Sequence, residues 1–353
     1  MNSTNDSELA KALEGHGEIL AELDFFCIKR HGYLLLALPR DASAAGATLG
    51  LYHPQATRAR VLVWLVGMML RFRCHVLLPK IKLTVRSESP MASMLEQSDS
   101  IGYLLGNPES ASRRVIIVYR KKDQLLVDKL GLHGGARASV IRELGIIKEL
   151  PPGNRAIPVV VSHDVSEQWA SYATRYLYGK SPRKVDDAKV LDVLNHWLKN
   201  SQREALHQTR QWQEMVGYAA AHNVGGLWSQ LETVANKQVQ VGLFHGDFAP
   251  WNIKVSSEGT VAVMDWESGC AHGPAGWDWL HYMIQSATLV DHHNPAKVLD
   301  ICREWAKSNA GRDFLATAGW GSDVECWLGS YLAYSAWIGG FDREELLVEW
   351  MKV

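Results

Sequence analysis

Residues 241–269 run VGLFHGDFAPWNIKVSSEGTVAVMDWESG. This stretch sets two carboxylates, Asp247 and Asp265, around an Asn, an apolar run, a Gly-containing turn and a second apolar run. IKV and TVAVMD flank SSEGT, which predicts a β-hairpin with Asp265 ending its second strand. VGLF reads as a strand that delivers Asp247 into a loop, and Asn252 lies where that loop re-enters a strand. Folding of the hairpin then returns Asp265 to the side of Asn252. Two oxygen donors on neighbouring strand ends suit magnesium, a hard cation that takes carboxylate, carboxamide, phosphate and water oxygens. Asp247 is set to accept or steer the proton of a hydroxyl. Phosphoryl transfer asks for these parts: a phosphate cradle, a metal and a carboxylate that orients the attacking group. Single Asp and Asn residues in turns are usually turn chemistry; three at this spacing, with a hairpin between them, favour a site.

The pattern H-x-D-x-x-x-x-N followed by a strand-borne Asp resembles the catalytic and metal loops of kinases. HGDFAPWN…DWE is similar to the aminoglycoside phosphotransferase and choline kinase branch of the kinase-like superfamily, which has HGD for HRD and D-x-D/E for DFG. That resemblance implies ATP as phosphate donor, Asp247 as catalytic base, and Asn252 and Asp265 as magnesium ligands. It makes His245 a structural brace of the loop. Glu267 either touches a second metal or orients the first. Asp278, in GPAGWDW, resembles the family's later Asp that caps the catalytic loop.

Working back along the chain, GYLLG at 102–106 resembles a reduced glycine loop, with Gly102 and Gly106 over the phosphates between two strands. Lys129, in LLVDKL, resembles the lysine that contacts the α- and β-phosphates. Its period-2 partners Leu125 and Val127 share its face, which points it toward a covered side. Glu143, on the following helix, is the expected partner of Lys129, in competition with Glu149. TRYLYG at 174–179 resembles the hinge, where backbone groups of Arg175 and Leu177 meet adenine. The resemblance spans residues 98–337, roughly two thirds of the chain. Trp251, in FAPW, stands where relatives often carry a basic or small residue.

The implied fold class is α+β, a bilobal protein-kinase-like fold. Residues 1–97 are read as an N-terminal extension packing on the kinase lobe, 98–181 as an antiparallel-sheet lobe that binds nucleotide, and 182–353 as a helical lobe with the catalytic and metal loops. Periodicity supplies the elements. YLLLAL at 33–38 reads as a strand, DASAAGATLG as a loop, and 61–78 as a helix that Pro79 limits. Strands are expected at 115–120 and 125–130 about the turn KKDQ. A helix carrying Val140, Ile141, Leu144 and Ile147 follows, stopped by Pro151-Pro152. Two more strands lie in 156–182. Beyond them come a helix starting near Asp186 or Asp187 and another over 203–221. Helix returns from Trp277 onward.

Composition sets bounds. A chain of 353 residues, 47% apolar and 21% charged, has an ordinary globular make-up, and 14 Trp are expected in or beside the core. A formal net charge of −1 gives no global field for nucleic acid. Five cysteines, odd in number and without CxxC, argue against a disulfide framework or zinc cluster. The polar start MNSTNDSELAKALEG is unlike a signal peptide, so a cytoplasmic protein is expected. The apolar window at 61–70 is shorter than the roughly 20 residues a bilayer span needs. It reads first as a buried helix; its flanking Arg58, Arg60, Arg71, Arg73 and Lys80, with Trp64, make a peripheral membrane contact through 56–80 the alternative.

The acceptor class the resemblance implies is a small-molecule hydroxyl, with a sugar or glycoconjugate precursor first and choline, ethanolamine or an aminoglycoside as alternatives. Aminoglycosides are polycations, and the C-terminal helices show no dense acidic cluster. From another class, a catalytically silent nucleotide-binding module is the rival; the presence of Asp247, Asn252, Asp265 and Lys129 together speaks against it.

Overall fold

The computed structural model of the protein describes residues 3–30, 32–52, 57–96, 98, 100–105, 113–150, 154–222, 224–339 and 344–352. The chain forms two compact units, residues 1–145 with 158–177, and residues 146–157 with 178–353.

The first unit is built on one sheet. In chain order it has α1 (Ser3–Glu14), β1 (Ile19–Arg30), β2 (Tyr33–Leu38), α2 (Ala42–Leu49), α3 (Thr57–Arg71), β3 (Lys80–Arg86) and α4 (Ala92–Leu95). Then come β4 (Ile101–Leu105), β5 (Val115–Lys121), β6 (Gln124–Leu132), α5 (Gly134–Glu149), β7 (Val160–Val165) and β8 (Trp169–Arg175). The eight strands run in the order β3-β1-β2-β4-β5-β6-β8-β7, each pair antiparallel. Side chains alternate between its faces. One face buries Tyr103, Ile117, Leu126 and Leu130 with Leu13 of α1 and Met94 of α4. The other buries Leu36 and Leu38 against Ala45 and Leu49 of α2 and Val66 and Leu70 of α3.

Three expectations change here. DASAAGATLG folds as α2, because Asp41 is its N-cap: Oδ1 accepts the Ala44 N–H at 2.8 Å. Ala44, Ala45 and Ala47 behind it, small and strongly helix-favouring, lie buried against the sheet. The helix expected over 61–78 ends at Arg71, and Arg73 takes a positive φ of 57° before a short turn at Cys74–Leu77. Finally, residues 1–97 do not stand apart as an extension. Their β1, β2 and β3 form one side of the sheet, and β2 pairs directly with β4 through Leu36↔Leu104 and Ala37↔Tyr103. An apolar-alternating strand cannot end a sheet with its core side chains bare, so the division at residue 98 has no structural counterpart.

The second unit is mostly helical. It has α6 (Asp187–Leu198), β9 (Gln202–Ala205), α7 (Arg210–His222), α8 (Gly225–Glu232), β10 (Gln238–Phe244), β11 (Ile253–Val255), β12 (Val261–Val263) and β13 (Cys270–Pro274). These are followed by α9 (Trp277–Gln285), α10 (Pro295–Lys307), α11 (Asn309–Thr317), α12 (Val324–Trp337) and α13 (Glu344–Trp350). The helix expected over 203–221 gives up its start to β9, which pairs with β10 in a small antiparallel sheet, β13-β10-β9. β11 and β12 form the expected hairpin. Every residue of α9 is buried. Six of the largest fully buried side chains are tryptophans of this unit. Two of them fix the turn before α9: Trp320 Nε1 donates to the Ala275 carbonyl at 2.7 Å, and Trp327 Nε1 to that of Gly276 at 3.2 Å.

Candidate active site

β10 ends at Phe244, and the chain turns sharply at His245-Gly246-Asp247. Gly246 has φ 78°, and a Cβ there would lie 2.5 Å from the Ser268 carbonyl oxygen, so glycine is required on both counts. Asp278, in the first turn of α9, accepts the His245 N–H on Oδ2 at 2.8 Å and the Gly246 N–H on Oδ1 at 3.0 Å. Its carboxylate thus caps the loop's backbone. Burial pushes the Asp278 pKa up to about 7, against the two N–H bonds that hold it down.

His245 is wholly enclosed. Its Nε2 lies 2.8 Å from the Met264 carbonyl, and its Nδ1 lies 3.2 Å from the Asp247 N–H. A donor to the carbonyl and an acceptor for the amide describe one neutral tautomer, assigned from these partners. Burial depresses its pKa to about 4, outweighing the nearby Asp247 charge. The Trp266 ring stands edge-on to the imidazole at 4.7 Å. His245 therefore ties the loop to the strand end before Asp265.

Asp247 is held at both oxygens. Asn252 Nδ2 donates to Oδ2 at 2.9 Å and to the Asp247 main-chain carbonyl at 2.9 Å. His281 Nε2 lies 3.0 Å from Oδ1. The side chain keeps 26% of its surface exposed, enough for an incoming hydroxyl to reach. His281 was not singled out from the sequence. It sits three residues after Asp278 on the same helix, its Nδ1 lies 2.7 Å from the Tyr331 hydroxyl, and Gln285 packs one turn on, with Nε2 3.2 Å from His281 Nε2. The signal was present in WDWLHYMIQ: Asp278, His281 and Gln285 recur at helical spacing among apolar residues, a polar stripe that a buried helix does not carry without partners.

The hairpin does part of what the sequence led us to expect. Pairing of Ile253 with Val263, and the Met264 N–H bonded to the Asn252 carbonyl at 2.8 Å, set the ends of β11 and β12 side by side. Asp265 is not in the strand, however. β12 stops at Val263, and Asp265 takes a left-handed conformation, φ 68° and ψ 63°, before the short turn Trp266–Ser268 that holds Glu267. With Asn252 Nδ2 committed to Asp247, Oδ1 is the atom Asn252 can offer a cation. Asn252, Asp265 and Glu267 each carry oxygen donors of the hard kind. Among the described residues no group of three or more His, Cys, Asp or Glu side chains is arranged to hold a metal ion.

In the first unit, Lys129 Nζ on β6 donates to both carboxylate oxygens of the buried Glu143 of α5, at 2.7 and 2.9 Å. Arg114, at the entrance to β5 and also unmarked by the sequence reading, stands 3.6 Å from the same carboxylate. Glu143 rather than Glu149 is the partner. Gly131, two residues after Lys129, lets α5 approach: a Cβ there would meet the Ala136 carbonyl oxygen at 2.3 Å.

Gly102 corrects the glycine-loop reading. It lies inside β4, paired with Val118, and a Cβ on it would meet Thr48 Oγ1 of α2 at 2.3 Å and Pro39 Cδ at 2.8 Å. Its small size serves the packing of α2, on the same sheet face as Lys129. Gly106 lies outside the described residues. Arg175 ends β8 opposite Leu126, the Tyr176 N–H bonds the Leu125 carbonyl at 2.9 Å, and Leu177 follows just past that bond.

No protein-family model matches the chain, and no curated protein resembles it in sequence. Solved structures do. One is a thermostable mutant of aminoglycoside phosphotransferase APH(4)-Ia in a ternary complex with ADP and hygromycin B, at 13% identity and a TM-score of 0.48, covering 74% of this chain and 96% of that one. Another is choline kinase LicA from Streptococcus pneumoniae, at 14% identity and a TM-score of 0.45, covering 74% of this chain and 93% of that one.

Proposed function

We propose that the chain is an ATP-dependent phosphotransferase that moves the γ-phosphate to a hydroxyl of a small molecule. The observation that carries this reading is the Asp247 carboxylate, gripped by Asn252 on one oxygen and His281 on the other yet still open to solvent. A carboxylate held in this way is preorganised for an incoming hydroxyl. Asp247 orients that hydroxyl and takes its proton as the oxygen bonds to the γ-phosphorus; the bond to the β,γ-bridging oxygen breaks, and ADP leaves. Lys129, fixed by Glu143, meets the α- and β-phosphates, with Arg114 as a second cation beside it. Backbone groups of Arg175 and Leu177 meet adenine.

Bound magnesium would neutralise charge developing on the phosphate oxygens. Asn252 Oδ1 and the Asp265 carboxylate would hold it, with Glu267 as a further oxygen donor in the same turn. Carboxylate and carboxamide oxygens fit a cation that keeps water and phosphate as its remaining ligands. A sugar or glycoconjugate precursor is the acceptor we favour, with choline, ethanolamine and aminoglycosides as the other members of the test panel. A lipid-linked acceptor suits the exposed apolar face of α3.

The test is transfer of labelled γ-phosphate, with magnesium, across a panel of sugars, amino alcohols and aminoglycosides. Asp247→Asn is expected to slow transfer by at least about 10²-fold while nucleotide still binds. Asp265→Asn is expected to lose magnesium-dependent nucleotide binding as well. Nucleotide binding without transfer to any acceptor would leave the silent module standing in place of the enzyme. Full activity of either variant would remove the role given to that residue.

A further inference from the structure

Helix α3 covers the sheet with one stripe only. Val66 and Leu70, four residues apart, are buried against Phe26, Ile28, Leu36 and Leu38. The opposite stripe is apolar too. Val61, Trp64 and Leu65 recur on it at helical spacing, and Trp64 keeps 62% of its surface exposed. The patch continues past the helix end, where Phe72 is 64% exposed and Leu77 79%. Single exposed apolar side chains are ordinary in a folded protein. A stripe at i, i+3 and i+4 that runs on into the next turn marks a contact surface.

Charge says what covers it. Residues 42–87 contain seven Lys or Arg and no Asp or Glu. Arg58 and Arg60 stand at one end of α3 and Arg71 and Arg73 at the other, all four exposed. Beside the patch, a concavity of about 590 Å³ is lined by Arg40, Arg73, Lys80, Asp41, Val76, Phe26 and Ala42. Of its polar groups, Arg40 pairs with Asp24 at 2.8 Å, and Asp41 accepts the Ala44 N–H as the cap of α2. With Arg40 matched by Asp24, Arg73 and Lys80 stand against Asp41, and the basin keeps a net positive charge. A second copy of the chain, meeting this face by two-fold symmetry, would set the same basic rim against itself. An anionic bilayer answers both parts of the surface. Trp and aliphatic side chains enter the acyl boundary, and arginines keep their heads among the phosphates. No helix of the described residues is long and apolar enough to cross a membrane, so α3 would lie in the plane of the interface.

We propose that residues 57–80 form a peripheral docking surface for an anionic phospholipid bilayer, independently of the phosphotransfer reading. The experiment is flotation of the full-length protein with phosphatidylcholine vesicles and with equimolar phosphatidylcholine–phosphatidylglycerol vesicles, at low and raised salt. The protein is expected to float with the anionic vesicles only, and less as salt screens the arginines. Trp64→Glu/Leu65→Glu and Arg71→Glu/Arg73→Glu, all at exposed positions, are each expected to lower binding by about tenfold or more while leaving Tm unchanged. Folded wild-type protein that stays down with anionic vesicles overturns the proposal, as does flotation of both variants at the wild-type level. A dimer in sedimentation velocity that Trp64→Glu/Leu65→Glu dissociates, without flotation, also overturns it and gives the face to a second copy.

Discussion

The Nε2 of His281 lies 3.0 Å from Asp247 Oδ1, while its Nδ1 lies 2.7 Å from the Tyr331 hydroxyl. If the tyrosine donates to Nδ1, Nε2 carries the proton and donates to Asp247, which aims the carboxylate. His281 is then a positioning residue. His281→Phe is expected to lower kcat by up to about 10²-fold with nucleotide Kd unchanged, since a misplaced reacting group costs about that much. His281→Gln, which can still donate, should keep more of the rate; equal losses in the two variants would remove the donor role. His245 makes a separate prediction on stability. Its pKa falls from 6.5 to about 4 on folding. The unfolded chain therefore binds the extra proton, and the contribution of neutral His245 is complete above pH 6.5 and is lost as pH falls through about 4. Asp278 runs the other way: its pKa rises from 3.8 to about 7, so its contribution is complete below 3.8 and is lost as pH rises through about 7. Comparing Tm against pH for wild type and His245→Gln isolates the histidine. The variant should show a shallower fall on acidification, and parallel curves would contradict the buried neutral tautomer.

At the scale of elements, the hairpin and α2 do different work. The pairing of β11 with β12 brings Asn252 to Met264, and Asp265, the next residue, leaves the strand through its own left-handed conformation. Alternating strand geometry alone would not set that direction; the positive φ does. α2 is positioned by its cap and by the glycine beneath it. In Gly102→Val the new side chain would have to displace Thr48 Oγ1, which lies 2.3 Å from the Cβ position, and Pro39 Cδ at 2.8 Å. Overpacking of this kind costs about 1–3 kcal/mol. Chemical denaturation should read that loss, and an undiminished midpoint would mean that α2 does not press on β4 as described. A glycine kept mobile over phosphates would instead tolerate valine in stability and lose nucleotide affinity.

On the whole-molecule scale, the sheet of the first unit does not divide at residue 98. β2 and β4 are neighbours, and the core on one face takes Leu13, Phe25, Leu83 and Val85 from the first 97 residues. A chain beginning at residue 98 would leave β4 as a bare edge and expose that apolar face. Such a truncation is expected to aggregate or to lose its cooperative thermal transition, as circular dichroism and light scattering would register. A soluble fragment with a sharp transition would restore the reading of residues 1–97 as a separable extension.

What the sequence determined by itself was local. The spacing from His245 to Asn252, the hairpin that follows and the helix bearing Glu143 are short-range patterns, and backbone periodicity settles them within a few turns of chain. Lys129 and Glu143 are 14 residues apart in one strand–helix step, so even their pairing was legible. Tertiary structure decided the rest. His281 reaches Asp247 across 34 residues, and Arg114 reaches Glu143 across 29, through packing that no window of sequence contains. The same holds for Gly102: two glycines around three apolar residues read alike in a loop and in a strand. Only the arrival of α2, whose capping Asp41 lies 61 residues earlier, shows that the missing side chain makes room for a helix. Local propensity chooses elements, whereas burial of each element's apolar face chooses its neighbours, and that choice is made only when the whole sheet closes.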